Sequence, residues 1–119
     1  MSKNPQADPW SAGIALFNDR RFFECHEIWE EVWKASRGPE RLFCQGMIQA
    51  AAAMVHAGRG RKTGALSLWR KARAKLELFA AEYQGIAVTD FVTDCDEYFA
   101  AVFGEKPRGG AIPKIRRLE

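Results

Sequence analysis

"LFCQGMIQAAAAMVHA", residues 42–57, is the stretch that decides the fold. On a helical wheel at about 100° per residue it is apolar or small around almost its whole circumference. Phe43, Met47, Ile48, Met54 and Val55 spread around the wheel, while Ala50, Ala51 and Ala53 let neighbours approach closely. A helix of that kind is buried among other helices rather than laid on a surface. One narrow stripe is polar: Gln45, Gln49 and His56, with Ala52 filling the gap. Because an unpaired buried amide costs about 1–3 kcal/mol, that stripe must meet water or a polar partner.

Helical segments flank this central one on both sides. Asp8-Pro9 is a capping residue followed by a proline, and it opens a helix to about Asn18. A second helix runs from about Phe22 to Ala35 and stops at Arg37-Gly38-Pro39. Pro39 and Glu40 start the central helix, which Gly58-Arg59-Gly60 ends near Ala57. A fourth covers about Lys62 to Ala81, and Gly85 separates it from a fifth. Val88-Thr89-Asp90 offers that fifth helix a capping residue, and Gly104 stops it. No run alternates with period 2, so no β-structure is expected. The fold class is therefore an all-α single-domain bundle of about five helices over residues 1–104. Residues 105–119 form an extended tail, held across the bundle by Ile112 and Ile115.

A chain of 119 residues fits one domain. Its longest nearly uncharged stretch, residues 42–57, falls short of the roughly 20 residues that a bilayer requires. No membrane partner is expected, and the polar N-terminal residues do not read as a signal segment. Cys25, Cys44 and Cys95 are odd in number and form no Cys-x-x-Cys pair. Reduced thiols and a cytoplasmic location are the expectation.

The chemistry concentrates on the second helix, "FFECHEIWEEVWKA". Ile28, Val32, Cys25, Trp29, Phe22 and Trp33 make its apolar arc, and Glu24, Glu27 and Glu31 make a solvated face with Lys34. His26 and Glu30 fall on the border, one turn apart. That spacing presents two ligands to one metal or closes a hydrogen bond. The short break at Arg37-Gly38 makes helices two and three an antiparallel hairpin. His26 then lies level with Gln49 and Glu30 with Gln45. The four are expected to face one another beside Trp29 and Trp33.

"ECHEIWEEVW", together with "LFCQGMIQAAAAMVHAGRGRKTGALSLW", resembles the prokaryotic domain-of-unknown-function family 309 over about residues 12–100. The resemblance implies an all-helical fold and a His-x-x-x-Glu-x-x-Trp/Tyr motif, met here by His26, Glu30 and Trp33. It also implies a suggested divalent metal ion as cofactor, with no established activity. "GRGRKTGA" departs from the shorter Gly-Asn turn expected of the family, so no asparagine role transfers.

His26 and Glu30 are two ligands where zinc takes three or four. Glu27, His56, Gln45 and Gln49 are the candidates to complete a site. The metalloprotease pattern His-Glu-x-x-His is not met, since Glu30 stands at the second histidine position. The carboxylate-rich pattern of di-iron bundles is absent as well. The site thus reads in three ways: a metal site, a small-ligand pocket, or a polar layer that fixes helix register.

A different class of function comes from charge. Net charge is +3, and seven basic residues with no acidic one fall between Arg59 and Lys75. Lys62, Arg70 and Arg73 project from the fourth helix as a basic face, which could meet RNA or an acidic protein. No nucleic-acid motif accompanies them, so nucleic acid is the weaker expectation. A second copy offering Glu24, Glu27 and Glu31 is the other candidate partner, giving a homodimer. The sequence names no reaction.

Overall fold

The computed structural model describes residues 8–118. Residues 1–7 of the expected bundle and residue 119 of the expected tail lie outside the described residues. Five helices carry the fold: α1 (Pro9–Asn18), α2 (Phe22–Ala35), α3 (Pro39–Gly58), α4 (Lys62–Leu76) and α5 (Val88–Phe103). A small hairpin, β1 (Glu82–Tyr83) and β2 (Ile86–Ala87), joins α4 to α5. The fold is all-α with this one small sheet.

α1 starts as its sequence dictates. The Asp8 carboxylate accepts from the Trp10 backbone N–H at 3.2 Å and from the Ser11 hydroxyl at 2.7 Å, with Pro9 at the first position. α1 packs on α2 through a close approach at Gly13. A Cβ there would lie 2.0 Å from Trp29 Nε1, so the indole rests on bare backbone. Trp29 is fully buried, stacks on Trp10 at 5.1 Å and donates to the Trp10 carbonyl at 3.2 Å. Gly38, at φ +62°, then turns the chain into α3.

α3 is the central helix, packed between α2 and α4. Phe43, Cys44, Met47, Ala50, Ala51, Ala53 and Met54 on it are all buried. Its approach to α4 is close enough that a Cβ at Gly46 would meet Leu76 Cδ2 at 3.0 Å. α5 closes the core through large rings: Phe91 meets Phe17 edge-on at 5.3 Å, and Phe99 stacks on Trp69 at 5.7 Å.

The structure corrects the sequence reading between α4 and α5. α4 ends at Leu76 rather than near Ala81, and the residues after Ala81 form a hairpin where no β-structure was expected. Gln84 and Gly85 adopt φ +50° and +76°, the positive pair that a two-residue hairpin turn requires. Ile86 and Ala87 are buried there, and the C-terminal tail pairs with them. Ala87 N–H donates to the Arg116 carbonyl at 3.0 Å, and Leu118 N–H to the Gly85 carbonyl at 2.8 Å. Strands of two residues are too short to show a period.

The cap expected at α5 is also absent. Ala87 occupies the N-cap with no side-chain bond, and the Asp90 carboxylate pairs with Arg116 of the tail instead. The tail does lie across the bundle. Ile115 is buried, and the Asn18 amide clamps its backbone, accepting from the N–H at 2.7 Å and donating to the carbonyl at 2.9 Å. Among the described residues, no helix is long and apolar enough to cross a membrane.

Candidate functional site

Phe23, His26, Glu30 and Trp33 form one stripe along α2, since residues three or four apart share a helix face. His26 Nε2 lies 3.5 Å from Glu30 Oε2, a loose contact between side chains that are 28% and 50% exposed. The exposed Phe23 ring stacks on the imidazole at 6.2 Å. At the other end the Arg41 guanidinium lies 3.8 Å above the centre of the Trp33 ring. Cation–π attraction of that kind holds Arg41 weakly over the indole face.

The register of the α2–α3 hairpin agrees with expectation to within two residues. Arg41 meets Trp33, and the Cys44 thiol donates to the Trp29 carbonyl at 3.5 Å. The expected four-residue network does not follow from it. Gln49 Oε1 accepts from Lys75 Nζ of α4 at 2.9 Å. Among the described residues, neither Gln45 nor Gln49 bonds to His26 or Glu30. The height along α3 is as expected, but Gln49 turns toward α4 while Arg41 takes the α2 flank.

Three buried side-chain atoms have no hydrogen-bond partner among the described residues: His26 Nδ1, Trp33 Nε1 and His56 Nδ1. Buried polar groups are normally paired, so each needs a reason. His56 sits apart from the α2 stripe, near the end of α3. A Cβ on Gly64 of α4 would lie 2.7 Å from its Nδ1, so its ring fills the space that glycine leaves. Its seven-residue separation from Gln49 is about 10 Å along the helix. His26 and Trp33 are likewise seven residues, about 10 Å, apart along their helix, but they share one stripe with Glu30 between them.

The family model for a domain of unknown function, DUF309, matches residues 10–68. The chain belongs to that family. No curated protein matches it. The matched range holds α1, α2, α3 and the start of α4, so the whole stripe of this DUF309 chain lies inside it.

The metal that the family resemblance implies finds few donors here. Among the described residues, no group of three or more His, Cys, Asp or Glu side chains is placed to hold an ion. A ligating histidine also normally donates its second N–H to an acceptor. With Nε2 turned to Glu30, His26 Nδ1 has no such acceptor. His26 and Glu30 therefore do not make a resident metal centre by themselves.

Glu27 is exposed, Glu24 pairs with Arg21, and Glu31 lies 3.5 Å from Lys34, as a solvated face should. All three cysteines of the DUF309 chain are free and buried. Burial pushes the Cys44 thiol up to about 12, and Cys25 and Cys95 are also raised by burial. None is a ready thiolate nucleophile.

The basic face is smaller than its sequence count. Lys62, Arg70 and Arg73 are all exposed, but Arg73 is already paired within the chain. Its guanidinium meets Asp96 of α5 at 2.9 Å and Glu77 at 3.0 Å, while Asp96 also accepts from Trp69 Nε1 at 2.8 Å. Sequence reasoning missed this Asp96 node, which no local spacing signals. It also missed Arg41 over Trp33, which the hairpin register could have found.

Proposed function

We propose that this DUF309 chain is a binding module whose α2 stripe takes a small polar ligand at His26, Glu30 and Trp33. The observation that carries this reading is the pair of buried, unpartnered atoms His26 Nδ1 and Trp33 Nε1. Each costs about 1–3 kcal/mol while unpaired, and a ligand that meets them recovers that cost. The indole N–H only donates. With the imidazole proton assigned to Nε2, facing Glu30, Nδ1 only accepts. The matching ligand carries an acceptor and a donor spaced to span the two helical turns between the residues, as longer amides and hydroxy acids do. Both atoms are shielded, so binding displaces neighbours. Phe23 and Arg41, which lie on the two rings, are surface side chains able to swing aside.

A divalent ion is the second form of this reading. His26 Nε2 and Glu30 Oε2 supply two donors, and water or the ligand supplies the others. Binding through the basic face, to RNA, an acidic protein or a second copy, has less support because Asp96 and Glu77 already neutralise Arg73.

The test is an NMR titration that follows the indole N–H signals, with Trp33 assigned through Trp33→Phe. Zn²⁺, Mn²⁺ and Mg²⁺ are added alone, and then a panel of such amides and hydroxy acids. The expected result is a saturable shift of the Trp33 signal, with Trp29 unmoved, that is lost in His26→Ala. Binding that survives His26→Ala, or a Trp33 signal that no probe moves, overturns the reading.

A further inference from the structure

A cavity of about 290 Å³ lies where the first turn of α1, the end of α2, the start of α3 and the hairpin turn meet. That volume is at the small end of ligand pockets. None of its lining residues belongs to the α2 stripe described above. Its walls are Trp10, Val32, Phe43 and Cys44, the last two buried, with the Trp10 and Phe43 rings 5.8 Å apart. Its rim carries two carboxylates, Asp8 and Glu40, and among the described residues no Lys, Arg or His lines it. Three other cavities mix both signs: Asp94 and Glu97 with Arg108 and Lys114, Asp90 with Arg116, Asp96 with Arg73.

The remaining polar groups of this lining are engaged. The Ser36 hydroxyl donates to the Val32 carbonyl at 2.7 Å, and the Gln84 carbonyl accepts from Trp10 Nε1 at 3.2 Å. Asp8 uses both oxygens to cap α1 and contributes only its charge. Its carboxyl is held below the ordinary range, first by the Ser11 hydroxyl and least by Arg117 of the tail, so it is ionised at neutral pH. Glu40 is freer, meeting among the described residues only the Tyr83 hydroxyl, at a long 3.5 Å. The N-termini of α1 and α3 open here, each carrying about half a positive charge. Set against two carboxylates they leave the lining itself negative, with Arg117 of the tail outside it and acting only weakly on Asp8.

We propose that this cavity binds a small organic ammonium: a primary amine with a short apolar or aromatic body. Its N–H groups bond to Glu40, its charge is attracted to the face of Trp10, and its body lies on Val32, Phe43 and Cys44. Charge-assisted bonds and cation–π attraction both strengthen in such a partly dry site. The negative lining suits a monocation and repels a carboxylate.

Calorimetric titration of the full chain with 2-phenylethylamine, 2-phenylethanol and 3-phenylpropionate tests this. The amine is expected to bind at least about tenfold more tightly than the alcohol, the size of one charge-assisted bond. The carboxylate should not bind. Glu40→Gln keeps the shape of an exposed side chain and removes its charge, so its melting temperature should stay close to that of the parent. It is expected to weaken the amine about tenfold and leave the alcohol unchanged. Equal affinity of amine and alcohol would show a merely apolar hole and overturn the proposal. Full amine affinity in Glu40→Gln, or no saturable amine binding, overturns it equally.

Discussion

Trp29 and Trp33 stand one turn apart on the same helix, and their surroundings differ in every respect that matters. Trp29 is fully buried, rests on the bare backbone of Gly13, stacks on Trp10 and gives its N–H to the Trp10 carbonyl. Trp33 is half-buried, carries a guanidinium on its face, and has an N–H that is buried without an acceptor. The first indole has every group satisfied by the fold. The second leaves one open, on the same stripe as a histidine that does the same. A helix can therefore be structural on one edge and available for binding on the next, and hydrogen-bond accounting tells the two apart where hydrophobicity does not.

Gly13→Ala tests the Trp29 side most severely. A methyl 2.0 Å from Trp29 Nε1 cannot be accommodated without moving a ring locked by Trp10 and Phe17. Overpacking of that kind is expected to cost about 3 kcal/mol. At roughly 4 °C per kcal/mol, thermal melting should show a large drop. A melting temperature unchanged by the substitution would mean that Trp29 is not seated as described. Trp29→Phe should come next, at about 2 kcal/mol, for the lost ring volume and the lost hydrogen bond.

Asp8→Ala sharpens the same side from further away, because Asp8 fixes the start of the helix that presents Trp10 and Gly13. Loss of the cap is expected to cost about 1 kcal/mol at neutral pH. The sign of its pH dependence follows from the lowered carboxyl of Asp8. A depressed folded value contributes stability in full above the unfolded value of about 4 and loses it as pH falls through the folded value. Denaturant melts of parent and variant should converge in acid. A gap that widens there would contradict the capping geometry.

Much of this comparison was legible in the residues themselves. The wheel of α3 showed a helix buried on most sides, and the short Arg37-Gly38 break implied the antiparallel hairpin that brings Arg41 to Trp33. The His26–Glu30 pair is local, so spacing alone found it. What escaped depends on direction around an axis or on distant chain. Register sets the height of Gln49 but not which flank it faces, and Lys75 lies on the other one. The hairpin after Ala81 is held by the tail, some thirty residues on, and its two-residue strands carry no period. Asp96 meets Trp69 and Arg73 from a different helix, with nothing in the local sequence to announce it.

Trp33→Phe gives the smallest stability effect and is the most telling of the set. Phenylalanine keeps most of the ring on which Arg41 lies and deletes an N–H that has no acceptor within the fold. The whole cation–π attraction is about 0.5–1 kcal/mol at an exposed site, phenylalanine loses only part of it, and removing an unsatisfied buried donor offsets that loss. The expected change in stability is therefore under about 0.5 kcal/mol, in either direction. Set beside Trp29→Phe, the contrast is about fourfold from the same chemical change one turn away. Denaturant melts of the two variants, run together, decide the matter. If Trp33→Phe costs as much as Trp29→Phe, the Trp33 N–H has a partner in solution and the two indoles are alike. If it costs little and also abolishes ligand binding at His26, that N–H serves binding rather than stability.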